Sequence, residues 1–142
     1  MPDLIAADPP TLLVTISGED RPGVTSAFFD AIADVGAEVL DLEQVVVRGH
    51  LTLAMLLVAG EVEERLREVV TSVGRDLDLK VKVKDGRGDS PGRRTGRAAV
   101  VVLGSPLRAS GVAAITARIA SHGANIDRIR RLSRYPVTTV EF

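Results

Sequence analysis

The sequence predicts an α+β protein of two β-α-β-β-α-β units in tandem, the second truncated after its third strand. Three observations predict it. Short stretches rich in Val, Leu and Ile alternate with longer stretches whose apolar residues recur at helical spacing. Their order is complete once over residues 11–84. Beyond an interruption at 85–97 the order restarts with residues that line up with the first set.

Bulk composition narrows the function classes. A chain of 142 residues holds one ordinary domain or two small ones, and 45% apolar residues at net charge −1 is a soluble globular composition. That balance, with 3% aromatics, predicts no nucleic-acid partner, since neither a basic surface nor a stacking platform is available. No cysteine is present, which excludes disulfides and thiolate metal sites and agrees with a cytoplasmic setting. Met1-Pro2-Asp3-Leu4 is not a signal-peptide start, and the longest apolar run, 53–59, is too short to span a bilayer. No membrane association is expected.

Residues 1–10 read as a loose, proline-containing lead-in, and 12–17 as the first strand. Gly18-Glu19-Asp20-Arg21-Pro22-Gly23 then turns into a helix, with Pro22 suited to its first position. Val24, Ala27, Phe28, Ala31, Ile32 and Val35 share one helical face, and Gly36 closes it. Residues 38–48 and 51–59 read as strands joined by a tight turn at Gly49-His50. A second helix starts near Glu61 with acids in its first turn, carries Val62, Leu66, Val69, Val70 and Val73 on one face, and ends at Gly74. Residues 76–84 alternate strictly, with lysines suited to an edge strand. This is the ferredoxin-like arrangement, helices on one face of an antiparallel sheet.

Residues 85–97 hold no core-forming side chains and read as a flexible linker. The Arg87-Gly88-Asp89 tripeptide within it matches an integrin-binding signal, which in so Arg/Gly/Asp-rich a stretch is expected by chance. Residues 98–103 begin the second unit as a strand, and Gly104-Ser105-Pro106 leaves it. A helix from Ala109 places Val112, Ile115, Ile119 and Ala120 on one face and closes at His122-Gly123. Gly123-Ala124-Asn125-Ile126 lines up with Gly36-Ala37-Glu38-Val39, so 125–129 should open the next strand, and 136–142 should be the third, reached after Arg134-Tyr135. The half-built unit leaves apolar surface and a sheet edge uncovered, as in a piece of a longer protein or a chain completed by a partner.

No catalytic constellation is expected. His50 and His122 have no ligand-spaced partners, so no metal site is predicted, and His122 in a last helical turn suits the helix dipole. There is no nucleophile elbow or phosphate loop. Asp76-Leu77-Asp78 precedes a strand and is followed by Leu79, so it reads as surface acids, not as an aspartyl nucleophile pair.

The chemistry concentrates at residues 18–23. Gly18 leaves room for another group near the backbone, free helix N-terminal amides can hold a carboxylate, and Asp20 can hold an ammonium. Such a site suits a free amino acid. The alternative is an ordinary β–α turn with Asp20 as a helix cap.

The duplicated plan with its Gly-x-Asp-x-Pro-Gly turn resembles ACT domains, amino-acid-sensing modules of metabolic regulation. Glu43-Gln44-Val45-Val46-Val47-Arg48 with Leu51-Thr52-Leu53, and Gly123-Ala124-Asn125-Ile126-Asp127-Arg128-Ile129 with Tyr135-Pro136-Val137, look like the N-terminal tandem ACT region of actinobacterial phosphoserine phosphatases of the SerB type. The resemblance implies ACT domain 1 at 11–84 and an incomplete ACT domain 2 at 98–142. It also implies L-serine or a related small amino acid as ligand, and a homodimer formed through the ACT domains. It places no cofactor in this chain, Mg²⁺ belonging to a haloacid-dehalogenase-type catalytic domain whose Asp-x-Asp-Ser-Thr signature the chain lacks; this polypeptide alone is not expected to be a phosphatase. Carried over by position, the ligand residues are Gly18, Asp20, Gly23, Val24, Gly111, Asn125, Ile126 and Asp127. The second unit's turn, Gly104-Ser105-Pro106-Leu107-Arg108, lacks the Asp-x-Pro-Gly pattern, so the first turn is expected to be half a site, the second repeat supplying the rest. On this reading Gly18→Ala weakens binding and leaves thermal stability nearly intact. Rival readings are a stand-alone tandem-ACT regulator of glycine and serine metabolism and a ligand-free oligomerisation module.

Overall fold

A computed structural model describes residues 8–89, 96–133 and 136–142. Most of the predicted lead-in (1–7), the middle of the linker (90–95) and the Arg134-Tyr135 turn lie outside the described residues. The chain divides into two compact units, Met1–Gly92 and Arg93–Phe142. Each is an α+β fold of the ferredoxin-like type.

In the first unit β1 (Pro10–Glu19), α1 (Val24–Val35), β2 (Val39–Val47), β3 (His50–Val58), α2 (Glu63–Asp76) and β4 (Lys80–Arg87) follow in the expected order. A 3-10 turn at Gly60–Val62 leads into α2. The strands form one antiparallel sheet in the order β2-β3-β1-β4. Val14 lies opposite both Met55 and Val83, which puts Leu12, Val14 and Ile16 on the same face as Leu53, Met55 and Leu57. That face is sealed: these side chains are fully buried with Phe28 and Ile32 of α1 and Leu66 and Val70 of α2. Burying each is worth roughly 1.5–3 kcal/mol against leaving it in water.

Several boundaries differ from the sequence reading, each for a local reason. Pro22 precedes the helix instead of opening it, because Gly23 caps α1 at φ 91, a conformation no helical residue has. The hairpin turn is Arg48-Gly49, not Gly49-His50: both have positive φ (47 and 75), the two-residue geometry that matches strand twist, and His50 already pairs with Val47. Gly74 does not end α2. It is buried inside the helix, where a side chain would collide with Val81, and α2 runs on to Asp76, so the strand expected from residue 76 starts only at Lys80, after Asp78 turns the chain at φ 56. β4 runs into the expected linker, Asp85, Gly86 and Arg87 pairing with Leu12, Thr11 and Pro10. The Thr11 hydroxyl donates to the Gly88 carbonyl at 3.1 Å and the Gly88 amide to Pro9 O at 2.9 Å, so Arg87-Gly88-Asp89 begins as sheet, not as an open loop.

In the second unit β5 (Val101–Gly104), α3 (Ala109–Ser121), β6 (Arg130–Ser133) and β7 (Thr138–Glu141) form a three-stranded antiparallel sheet, order β5-β7-β6, with one helix. This repeats β1-β3-β2. The β5 ladder reaches back only to Val100, which exchanges both backbone hydrogen bonds with Phe142 (3.1 and 2.9 Å), so Ala98 and Ala99 are not strand. The strand expected at 125–129 forms later, at Arg130. Arg130 pairs with Glu141 of β7 and Arg131 with Val140. Among the described residues of this unit none is buried; Val101, Leu103, Ile129, Leu132 and Val137 are exposed.

Candidate functional site

The loop between β1 and α1 is held on two sides. Asp20 donates its amide to the Gly49 carbonyl at 2.8 Å, tying the loop to the β2–β3 hairpin. The Arg21 guanidinium donates to the Leu77 carbonyl, just past α2. Gly18 lies in β1 opposite Leu51, and the group that approaches its backbone is the Leu79 side chain of its own unit. The close approach read from the sequence exists, but it is core packing.

Beyond the loop, the α1 N-terminus offers donors. Gly23 accepts the Ala27 amide (3.0 Å) and the Ser26 hydroxyl (3.1 Å). Among the described residues the amides of Thr25 and Ser26 have no acceptor, as the first turn of a helix requires unless something caps it. Val24 is buried at 1% exposure, so its side chain serves the core. Asp20 is exposed, and among the described residues its carboxylate has no hydrogen bond or ion pair.

Two residues absent from the sequence-based set stand beside these amides. The Thr25 hydroxyl donates to Gln44 Oε1 at 2.6 Å, joining the first turn of α1 to edge strand β2. Gln44 pairs with buried Leu53 and so lies on the helix side of the sheet. A signal existed: Gln44 has the parity of Leu42 and Val46, where an apolar side chain would be expected. The arrangement offers amide donors for a carboxylate, a carboxamide and hydroxyl for orientation, and an exposed carboxylate on the adjoining loop.

The second unit's candidates are arranged differently. Gly111 lies in the first turn of α3, exposed, its amide donating to Arg108 O at 3.0 Å and nothing within 4 Å of where a Cβ would stand. Asn125, Ile126 and Asp127 occupy the irregular approach to β6. Asp127 pairs with Arg97 at 3.0 Å and accepts a long 3.5 Å bond from the Asn125 side-chain Nδ2, while Ile126 is half-buried.

Elsewhere, Arg67 has its pKa raised by hydrogen bonds to Glu63 and then Asp85, a strut between α2 and β4.

A family model for the ACT domain matches residues 10–84, and a second ACT-domain model matches 97–142. The phosphoserine phosphatase of Streptomyces coelicolor is 49% identical over 138 residues, 96% of this chain and 34% of that protein. Phosphoserine phosphatase SerB2 of Mycobacterium tuberculosis is 38% identical over 134 residues, 92% of this chain and 33% of that protein. The chain thus spans about a third of the length of these relatives. A crystal structure described as a glycine cleavage system transcriptional repressor superimposes with TM-score 0.66 at 18% identity, covering 93% of this chain and 77% of that one. At that identity the likeness concerns the fold.

Proposed function

This chain belongs to the ACT-domain family, and from that premise we propose that it is the amino-acid-binding regulatory part of a phosphoserine phosphatase, with L-serine as its ligand. The observation that carries the reading is the pair of uncapped amides, Thr25 and Ser26, beside the Thr25–Gln44 contact and the Asp20 loop. The ligand carboxylate takes the amides, and its ammonium takes Asp20. Gly18 and Gly23 shape the turn, and Val24 anchors it. Self-association through the ACT units makes binding regulatory: a ligand that favours one arrangement of subunits biases an attached catalytic domain by its differential affinity. The cysteine-free composition suits work in the cytoplasm.

Calorimetric titration of the folded chain with L-serine, glycine and L-alanine at millimolar concentration tests this. Heat of binding with L-serine, stronger than with the other two, is expected; no heat with any of them overturns the sensing role and leaves a ligand-free association module. The same titration on Asn125→Ala tests the second repeat: lowered affinity is expected if Gly111, Asn125, Ile126 and Asp127 take part, and unchanged affinity removes them from the site.

A further inference from the structure

The face of the first sheet that α1 and α2 leave open has an ordered pattern of charge. Pairing registers place Asp41, Leu56, Leu13 and Lys84 in one row across the four strands, and Glu43, Ala54, Thr15 and Lys82 in the next. Directly paired residues share a face, so each row runs from a carboxylate on β2, over uncharged residues on β3 and β1, to an ammonium on β4. Leu13 is 40% exposed, and Leu56 and Ala54 are half-buried. A shallow groove along this face is lined by Leu13, Ala54, Leu56, Asp41, Glu43 and Lys84 among others.

A surface acidic along one edge and basic along the other is self-complementary under one symmetry only. Turn a second copy over by a two-fold axis running along the strands, and its β4 comes to lie over β2. Asp41 then faces Lys84 of the second copy, Glu43 faces Lys82, and Leu56 meets Leu13, row upon row. A two-fold axis across the strands would instead stack β2 on β2 and put like charges together, which is costly in an interface. We propose that the open face of the first unit is an isologous docking surface for a second copy of this chain, sheet against sheet, with the two-fold axis along the strands. Four strands of about eight residues present on the order of 500 Å² per copy, the lower limit for a specific interface, so the contact is weak and salt-sensitive. The inference specifies the self-association invoked above.

The chain has no cysteine, which makes the test direct. Asp41→Cys and Lys84→Cys are prepared as separate single variants of the full chain. Within one sheet the two positions are three strand spacings apart, about 14 Å, whereas sheets packed face to face stand about 10 Å apart with side chains pointing at each other. A short bis-maleimide should link a mixture of the two variants into covalent dimers at least tenfold faster than either variant alone. Leu13→Glu, outside the buried core, should weaken association at least tenfold by sedimentation equilibrium and leave the melting temperature unchanged. Sedimentation as a monomer at 100 μM overturns both the face and the self-association. A dimer whose mixture links no faster than the single variants, or that survives Leu13→Glu, overturns the face and leaves association standing.

Discussion

Gly18 lies against Leu79 so closely that a Cβ on Gly18 would overlap the side chain of Leu79, a residue only 8% exposed immediately before β4. The contact joins the two outer ends of the unit's sequence, β1 and the approach to β4. It also changes what a substitution at this loop measures.

Gly18→Ala is therefore expected to cost stability first. The buried Leu79 side chain must shift to admit the methyl, and overpacking of this kind costs roughly 1–2 kcal/mol. At about 4–8 °C per kcal/mol for a domain this size, thermal melting should fall visibly. The sequence reading expected binding to weaken with stability intact; a melting temperature within about 1 °C of the parent would restore that reading.

Gly74→Ala sets helix propensity against packing. Alanine gains up to about 1 kcal/mol over glycine inside a helix. Here the added methyl would meet Val81 and stand 3.3 Å from the Leu79 carbonyl, a backbone atom that cannot rotate away. Packing wins, and a net loss of roughly 1–2 kcal/mol is expected in urea unfolding. A stabilised variant would show that α2 and β4 can separate without cost.

Asp20→Asn isolates the loop carboxylate. The loop is held by the Asp20 backbone amide on Gly49, which the substitution leaves in place. Affinity for L-serine should fall about tenfold, near 1.4 kcal/mol, with melting unchanged. Thr25→Val should lower affinity by a similar factor through loss of the hydroxyl to Gln44. Affinity unchanged from the parent in both variants would move the ligand elsewhere.

Periodicity made most of the first unit legible. Alternation over 80–84 and helical spacing over 24–35 reflect burial on one face, so the order of elements and the core face followed from them. What was not legible turned on three-dimensional neighbours. Gly74 resembles a helix stop because sequence does not reveal that Val81 occupies its side-chain space. The Arg48-Gly49 turn is one residue off because arginine is rarely asked to take positive φ. β4 outlasts its alternation because backbone pairing to Pro10 and Thr11 needs no apolar side chains. At the candidate site the loop was legible from its Pro-Gly signature, whereas Gln44 is brought to Thr25 only by the sheet.

The two units should differ sharply in amide exchange. In the first, β1 and β3 are central strands with Leu12, Val14, Ile16, Leu53, Met55 and Leu57 fully buried, so their amides open only with the whole unit. In the second, none of the described residues is buried, α3 included, and the sheet has three short strands. Few buried apolar contacts mean a low free energy of opening. Hydrogen–deuterium exchange read by mass spectrometry should show the central peptides of β1 and β3 protected at least a hundredfold longer than those of β5, β6 and β7. Comparable protection in β5 would mean that the exposed Val101 and Leu103 are covered in solution. Repeating the measurement at tenfold lower protein concentration separates the sources: cover supplied by a second copy is lost on dilution, and cover from within the chain is not.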